Sequence, residues 1–303
     1  MRVLPYAQLL RLPNVFTAFA DVLMGTFATG ALLAKPAAAV LLLLASGCLY
    51  CGGMVWNDFF DFAEDRRDRP FRPLPAGKIA KRTAVWLGAG LLAAGVGCAA
   101  LTMFLNRPDE SWNFQPVGIA LILVVVILLY DGWLKRTPIG PIGMGACRFL
   151  NVLLAVSVAG TAPLPANLRW HLAAVVGLYI VGVTWFARAE AGRSKPNPLR
   201  GAAAVMLAGL LLALAVPVHR SENPHAWALP YLLVVFGFLI GLPVVRAIGE
   251  PDAGTVQAAV KRCILGLVVL DAILATVFVG PCGLLIVLLL PPALLLGRRV
   301  YST

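Results

Sequence analysis

The densest run of chemistry-bearing side chains is Trp56-Asn57-Asp58-Phe59-Phe60-Asp61-Phe62-Ala63-Glu64-Asp65-Arg66-Arg67-Asp68. Asn57, Asp61 and Asp65 are spaced i, i+4, i+8, and Asp58, Asp61 and Asp65 are spaced i, i+3, i+7, so a continuous helix stacks them on one face. Like charges at those spacings repel, and a helix that keeps them is expected to hold a cation between them. Oxygen-only ligands suit a hard ion such as Mg2+ rather than zinc. Mg2+ on one or two carboxylates, completed by water, usually serves to hold a phosphate. Arg66, Arg67, Arg69, Arg72, Lys78, Lys81 and Arg82 follow at once and can meet its remaining oxygens. The competing reading is a solvated helix end with arginines that only set topology. It leaves three aspartates, poor helix formers, without a reason.

The elements that position these groups belong in a bilayer. Of 303 residues, 60% are apolar or aromatic and 13% charged, against roughly 25% charged in a soluble domain. With 29 Gly and 22 Pro among long apolar runs, the composition excludes a disordered chain, a disulfide scaffold and a coiled coil. The six cysteines lie almost entirely in apolar stretches, and the one CxxC, Cys48 and Cys51, has no second pair, so neither a disulfide framework nor a metal site is expected of them.

Ten stretches are candidate spans: 14–34, 37–56, 84–105, 116–133, 141–160, 171–186, 201–218, 227–245, 263–279 and 282–296. The last two nearly fuse at Gly280-Pro281, which would make nine. The expected fold is all-α, a polytopic bundle of nine or ten transmembrane helices forming one domain over residues 1–303. The first span is too long, and too well followed by others, for a cleaved signal peptide. With the N-terminus in the cytosol, cytosolic connections carry twenty Lys and Arg and external ones four, with Arg148 inside a span. The net charge of +11 is thus read as membrane topology, with no nucleic-acid partner. Nine of the 14 acids crowd the same face, which topology does not explain.

The stretch NDFFDFAED, followed by RPFRPLPAGKI, resembles the first aspartate-rich motif of the UbiA family of intramembrane prenyltransferases, NDxxDxxxD with an Arg-Pro-Leu-Pro-like turn after it. The match covers Asn57, Asp58, Asp61, Asp65, Arg72, Pro73, Leu74 and Gly77, in a cytosolic loop over residues 57–83. The resemblance implies a bundle around a central cavity that binds a polyprenyl diphosphate through Mg2+ at its cytosolic mouth and moves the prenyl chain to an acceptor, often aromatic. The second motif, a DxxxD-like run after the sixth span, falls in the loop 187–200, where Glu190 is the one carboxylate between 183 and 197. Three consequences stay open: Glu190 and the diphosphate alone hold a second Mg2+; Arg188, Arg193 and Lys195 replace metal charge; or the diphosphate binds without ionising efficiently.

Tyr130-Asp131-Gly132-Trp133-Leu134-Lys135-Arg136 resembles the family's cytosolic Tyr and Lys-Arg segment. Together with Gly140-Pro141, Met144-Gly145, Cys147-Arg148, Asn151 and Ala189-Glu190-Ala191-Gly192, it makes the chain look most like the branch called EboC. That branch accompanies bacterial gene clusters linked to secondary metabolism, and implies a bacterial inner membrane.

The family pattern assigns Asn57, Asp58, Asp61, Asp65 and Glu190 to Mg2+ and catalysis, and Arg72, Lys135, Arg136 and Arg193 to the leaving group. Arg148 and Asn151, one turn apart within a span, are costly in a membrane unless they face a cavity or a partner. They are candidate diphosphate or acceptor contacts, against snorkelling to the interface. Asp21 and Asn14 in the first span are candidates for the acceptor end, with a structural hydrogen bond as the alternative for Asp21, and Asp271 is a weaker candidate. Trp56, Phe59, Phe60 and Phe62 either shield a carbocation or form an interfacial belt.

Two other classes place similar charge in a membrane. A CDP-alcohol phosphotransferase needs aspartates where Phe149 and Leu153 stand after Asp131-Gly132. A non-catalytic carrier for an isoprenoid or secondary-metabolite precursor fits the thin second motif, but the chain shows no inverted repeat, and its charge lies on one face rather than at the midplane. The expected activity is Mg2+-dependent transfer of a prenyl group from a polyprenyl diphosphate to a small-molecule acceptor within the bilayer.

Overall fold

The structure, a computed structural model, describes residues 3–105, 112–160, 164–188, 196–216 and 226–300, and among them every regular element is helical. In order these are α1 (Val3–Leu9), α2 (Leu12–Thr29), α3 (Ala31–Ala34), α4 (Pro36–Phe60), α5 (Phe62–Asp68), α6 (Lys81–Leu101), α7 (Gln115–Gly132), α8 (Gly140–Ala155), α9 (Ala166–Ala187), α10 (Pro196–Leu214), α11 (Leu229–Gly249), α12 (Ala253–Val279) and α13 (Leu290–Arg299). Proline stands in the first two positions of α2, α4, α7, α8 and α11, where its missing N–H costs no helical bond. Helix α12 starts on Asp252, whose carboxylate accepts from the Gly254 and Thr255 backbone N–H groups at 2.9 and 3.1 Å. The Thr255 backbone bond is the chief reason this carboxyl sits below its usual range.

Among the described residues seven helical stretches are long and apolar enough to cross a membrane: Pro36–Phe60, Lys81–Leu105, Gln115–Gly132, Ala166–Ala187, Pro196–Leu214, Ala226–Gly249 and Ala253–Arg299. Gly140–Ala155 is a shorter apolar helix. Helix α2 is not among the seven, because Asn14, Thr17 and Asp21 lower its hydropathy. The ninth and tenth expected spans run together in Ala253–Arg299 but double back at Gly280, whose φ of 64° and ψ of −147° are open to glycine. The returning arm of the hairpin is a 3-10 segment, Gly280–Leu289, packed on α12 before α13 brings Gly297 beside Pro13.

Two apolar cores meet along α2 and α8: one gathers α9 to α12, the other α4, α6 and α7. The outward faces are apolar as well, with Val235, Phe238, Leu242 and Val245 of α11 exposed. That inverts the surface of a soluble protein and fits lipid contact. Small residues set the helix spacing: a Cβ on Gly145 of α8 would stand 2.7 Å from the Gly177 carbonyl oxygen of α9. Gly145→Val is therefore expected to cost about 1–3 kcal/mol of stability in detergent. Gly237→Ala, with nothing within 4 Å of the added carbon, is expected to melt like the parent, and equal melting of both variants would refute the close-packed seam.

Candidate functional site

The first motif does not stack as an unbroken helix. Helix α4 ends at Phe60, Asp61 takes φ −86° and ψ 1°, and α5 restarts at Phe62. Asp58 and Asp65 consequently turn inward, at 3% exposure each, while Asp61 turns to another part of the chain. Aspartate favours this break because its short side chain competes with helical backbone bonding.

Arg72 joins the two inward acids, with its Nη1 2.7 Å from Asp65 Oδ2 and 3.5 Å from Asp58 Oδ1. The Arg-Pro-Leu-Pro turn delivers it there. Leu74 and Ile79 bury against Leu9, Val55 and Ala84, and Gly77 supplies the turn's φ of 70°. Arg11, in a left-handed conformation at the start of α2, donates from Nη2 to Asn57 Oδ1 at 3.1 Å and Asp58 Oδ1 at 3.0 Å. Asn57 Nδ2 in turn donates to Asp131 Oδ1 at 2.8 Å. Burial works against the Arg11 charge, and Asp58 overrides it, so the guanidinium is held above its ordinary range.

Asp61 is the more accessible acid. Lys135 Nζ lies 2.7 Å from its Oδ2 and Arg136 Nη2 3.0 Å from its Oδ1. The segment bearing Lys135 and Arg136 is held by Arg188 at the end of α9, which donates to the carbonyls of Lys135, Thr137 and Pro138. Gly140 makes room for this, since a Cβ there would stand 2.8 Å from the Leu134 carbonyl oxygen.

The structure thus gathers Asn57, Asp58, Asp61, Asp65, Arg72, Lys135 and Arg136 at one end of the bundle. It holds Arg148, Asn151 and Asp21 in a separate cluster deeper in. Arg148 Nη1 is 3.1 Å from Asp21 Oδ2, and Asn151 bonds Asp21, Ser46 and the Ala18 carbonyl. Asn14 lies on α2 between Arg11 and Thr17, on the side of Tyr50. Glu190 and Arg193 lie outside the described residues. Trp56, Phe59 and Phe60 pack on one another with centroids 5.4–5.8 Å apart, and Phe62 receives Lys81 Nζ on its ring at 3.3 Å.

Two site residues escape the sequence argument. Arg11 reads there as a topological charge, and Asp131 as one more acid at a helix end. Their partners lie 46 and 74 residues away, and no spacing rule reaches that far.

Among the described residues no group of three His, Cys, Asp or Glu is arranged to hold a metal, since each acid of the first motif is ion-paired to Arg or Lys. The donor chemistry itself fits Mg2+: carboxylate and amide oxygens from Asn57, Asp58, Asp61 and Asp65, without nitrogen or sulfur. The ring of cations fits an anion carried with the metal.

A digeranylgeranylglyceryl phosphate synthase of Methanopyrus kandleri is 29% identical over 269 residues, covering 84% of this chain and 93% of that protein. The Thermococcus kodakarensis synthase of the same name is 32% identical over 130 residues, 39% of its length. A solved digeranylgeranylglyceryl phosphate synthase superposes with a TM-score of 0.64 at 22% identity over 92% of this chain and 98% of its own. A UbiA homolog from Archaeoglobus fulgidus bound to GPP and Mg2+ gives 0.63 at 14% identity, over 87% and 99%. These folds agree with the all-helical bundle. The UbiA prenyltransferase family matches residues 18–260, and the chain, an integral membrane protein by its apolar helices, belongs to that family.

Proposed function

We propose that the chain transfers a prenyl group from a polyprenyl diphosphate to a hydroxyl-bearing or aromatic acceptor, with Mg2+, at the cytosolic face of the membrane. The observation that carries this is the knot of Asn57, Asp58, Asp61 and Asp65 with Arg11, Arg72, Lys135 and Arg136 at one end of an otherwise apolar bundle. The twenty-to-four bias of Lys and Arg supports a cytosolic position for that end.

Asn57, Asp58, Asp61 and Asp65, with Glu190 of the second motif, would hold Mg2+, which when bound neutralises charge on the diphosphate. Arg72 keeps Asp58 and Asp65 in register. Lys135 and Arg136, already at the rim, exchange Asp61 for diphosphate oxygens. The bond between prenyl C1 and the diphosphate oxygen breaks with its electron pair on the oxygen, the acceptor oxygen or carbon bonds C1, and the acceptor loses a proton. Cationic side chains aimed at the leaving oxygens lower that barrier most in a site closed to water.

The relatives named above make a glyceryl phosphate bearing two geranylgeranyl groups, which favours a geranylgeranyl donor. The resemblance to the EboC branch, and with it a role in bacterial secondary metabolism, rests on the sequence segments alone. A carrier that binds without transfer is kept as a second reading, because every acid of the motif is already ion-paired.

The test is binding of geranylgeranyl diphosphate to the detergent-purified protein, with and without Mg2+, alongside diphosphate release. Mg2+-dependent binding with release supports the transferase. Tight binding without release under any acceptor supports the carrier, and no Mg2+-dependent binding removes both. Arg188→Gln is expected to lower kcat about 10- to 100-fold by freeing the Lys135 and Arg136 segment, with unchanged melting. Unaltered kcat would deny Arg188 a positioning role.

A further inference from the structure

The cluster below the diphosphate end is charged, buried and unused by the reaction just described. Asn14, Thr17 and Asp21 form one stripe on α2, beginning a turn below Arg11. Arg148 of α8 reaches this stripe with Nη1 on Asp21 Oδ2 at 3.1 Å and Nη2 on Thr17 Oγ1 at 2.7 Å, and its guanidinium lies 5.6 Å from the Tyr50 ring centre. Two of its five N–H groups are thereby engaged, and its side chain keeps 12% exposure.

The acids behind it are more constrained. Asp21 and Asp271 are both fully buried. Neither oxygen of Asp271 has a donor, nor does Asp21 Oδ1, and the two carboxyls are near enough to act on each other's charge. Ionised carboxylates only accept, so two buried neighbours with no donor between them call for one shared proton. With it the cluster holds one negative charge, on the pair, and one positive, on Arg148. A second uncompensated negative charge at this depth would be far costlier than the proton.

We propose that Arg148, held by Asp21 and Thr17 and facing Tyr50, is the subsite for an uncharged oxygen of the acceptor, a carbonyl or hydroxyl, and that the proton shared by Asp21 and Asp271 keeps it electrically neutral. A hydrocarbon tail gives free guanidinium N–H groups nothing to bind, so the prenyl chain is the wrong occupant. Thr17 is six residues below Arg11, about 9 Å at 1.5 Å per residue. A compact acceptor therefore spans from Arg148 to a prenyl C1 held below Asp58, its nucleophilic hydroxyl at the upper end. This assignment rests on the transferase reading.

Two measurements test it. In the first, 4-hydroxybenzamide and 4-hydroxybenzoate are titrated into the protein loaded with Mg2+ and geranylgeranyl diphosphate, whose own binding is read beforehand in the same sample. The amide is expected to bind at least about tenfold more tightly than the anion, and Arg148→Lys to lose about tenfold of amide affinity, near the value of one charge-assisted hydrogen bond, with diphosphate binding unchanged. Binding of neither probe, preference for the benzoate, or an unaffected Arg148→Lys overturns the subsite. Loss of diphosphate binding in the parent protein instead overturns the transferase reading. In the second, infrared spectroscopy of the full-length protein is expected to show a protonated-carboxyl carbonyl band that vanishes in Asp271→Asn and persists in Asp61→Asn. Absence of the band in the parent overturns the shared proton.

Discussion

Asp61→Asn is expected to fold and melt like the parent protein and to lose prenyl transfer by about 10²- to 10³-fold, the range seen when one electrostatic group is removed from an active site. The structure makes this acid the cleanest probe of the motif. Its side chain is 19% exposed, its partner Arg136 is 47% exposed, and the buried Lys135 Nζ keeps an acceptor in the variant because asparagine retains an amide oxygen. The partly exposed pair with Arg136 contributes about 0–1 kcal/mol. Diphosphate release and a thermal melt on the same preparation check both halves. Full turnover in the variant would take Asp61, and with it the proposed mechanism, out of consideration.

Asp58 would not serve in its place. It sits between Arg11 and Arg72 at 5% side-chain exposure, and neutralising it leaves two guanidinium groups short of a partner. Loss of activity there would mix damage to the fold with damage to the chemistry. One motif thus contains an accessible acid at its rim and two buried, arginine-paired acids beneath, a division invisible in the pattern NDxxDxxxD.

What the sequence made legible follows the range of the forces involved. The apolar spans are local properties of composition, and the acid cluster is a local property of spacing. Lys135 and Arg136 enter the site through the family resemblance, as contacts of the leaving group, whereas their ion pairs with Asp61 depend on where α7 ends against α4. The helix break at Asp61 was not, because the spacing of acids along an ideal helix says nothing of whether the backbone continues. Arg11 and Asp131 were missed for a different reason: they act through side-chain bonds to Asn57 from helices distant in sequence. Asp21 and Arg148 stood out singly through the cost of charge in a bilayer. Their mutual contact, and the nearness of Asp271 to Asp21, depend on how α2, α8 and α12 rotate against each other.

Arg72→Met is expected to be the most destabilising single change at the site, by about 3–5 kcal/mol, because it breaks a buried ion pair from one side. The arginine and its two acids are 8%, 5% and 4% exposed. Asp58 would keep Arg11, but Asp65 would lose the guanidinium 2.7 Å from its Oδ2. Removing the stranded acid as well, in Arg72→Met with Asp65→Leu, should restore much of the melting temperature, since an apolar replacement of both partners relieves the desolvation that the lone carboxylate suffers. Transfer should not return with it, because Asp58 would then lack the group that orients it and the metal one of its oxygen donors. If the double variant melts no higher than Arg72→Met alone, the pair is not the source of the loss, and the apolar contacts of Leu74 and Ile79 would carry it instead. If it recovers turnover along with stability, Asp65 belongs to the scaffold and the proposed metal-binding acids reduce to Asp58, Asp61 and Glu190, beside Asn57.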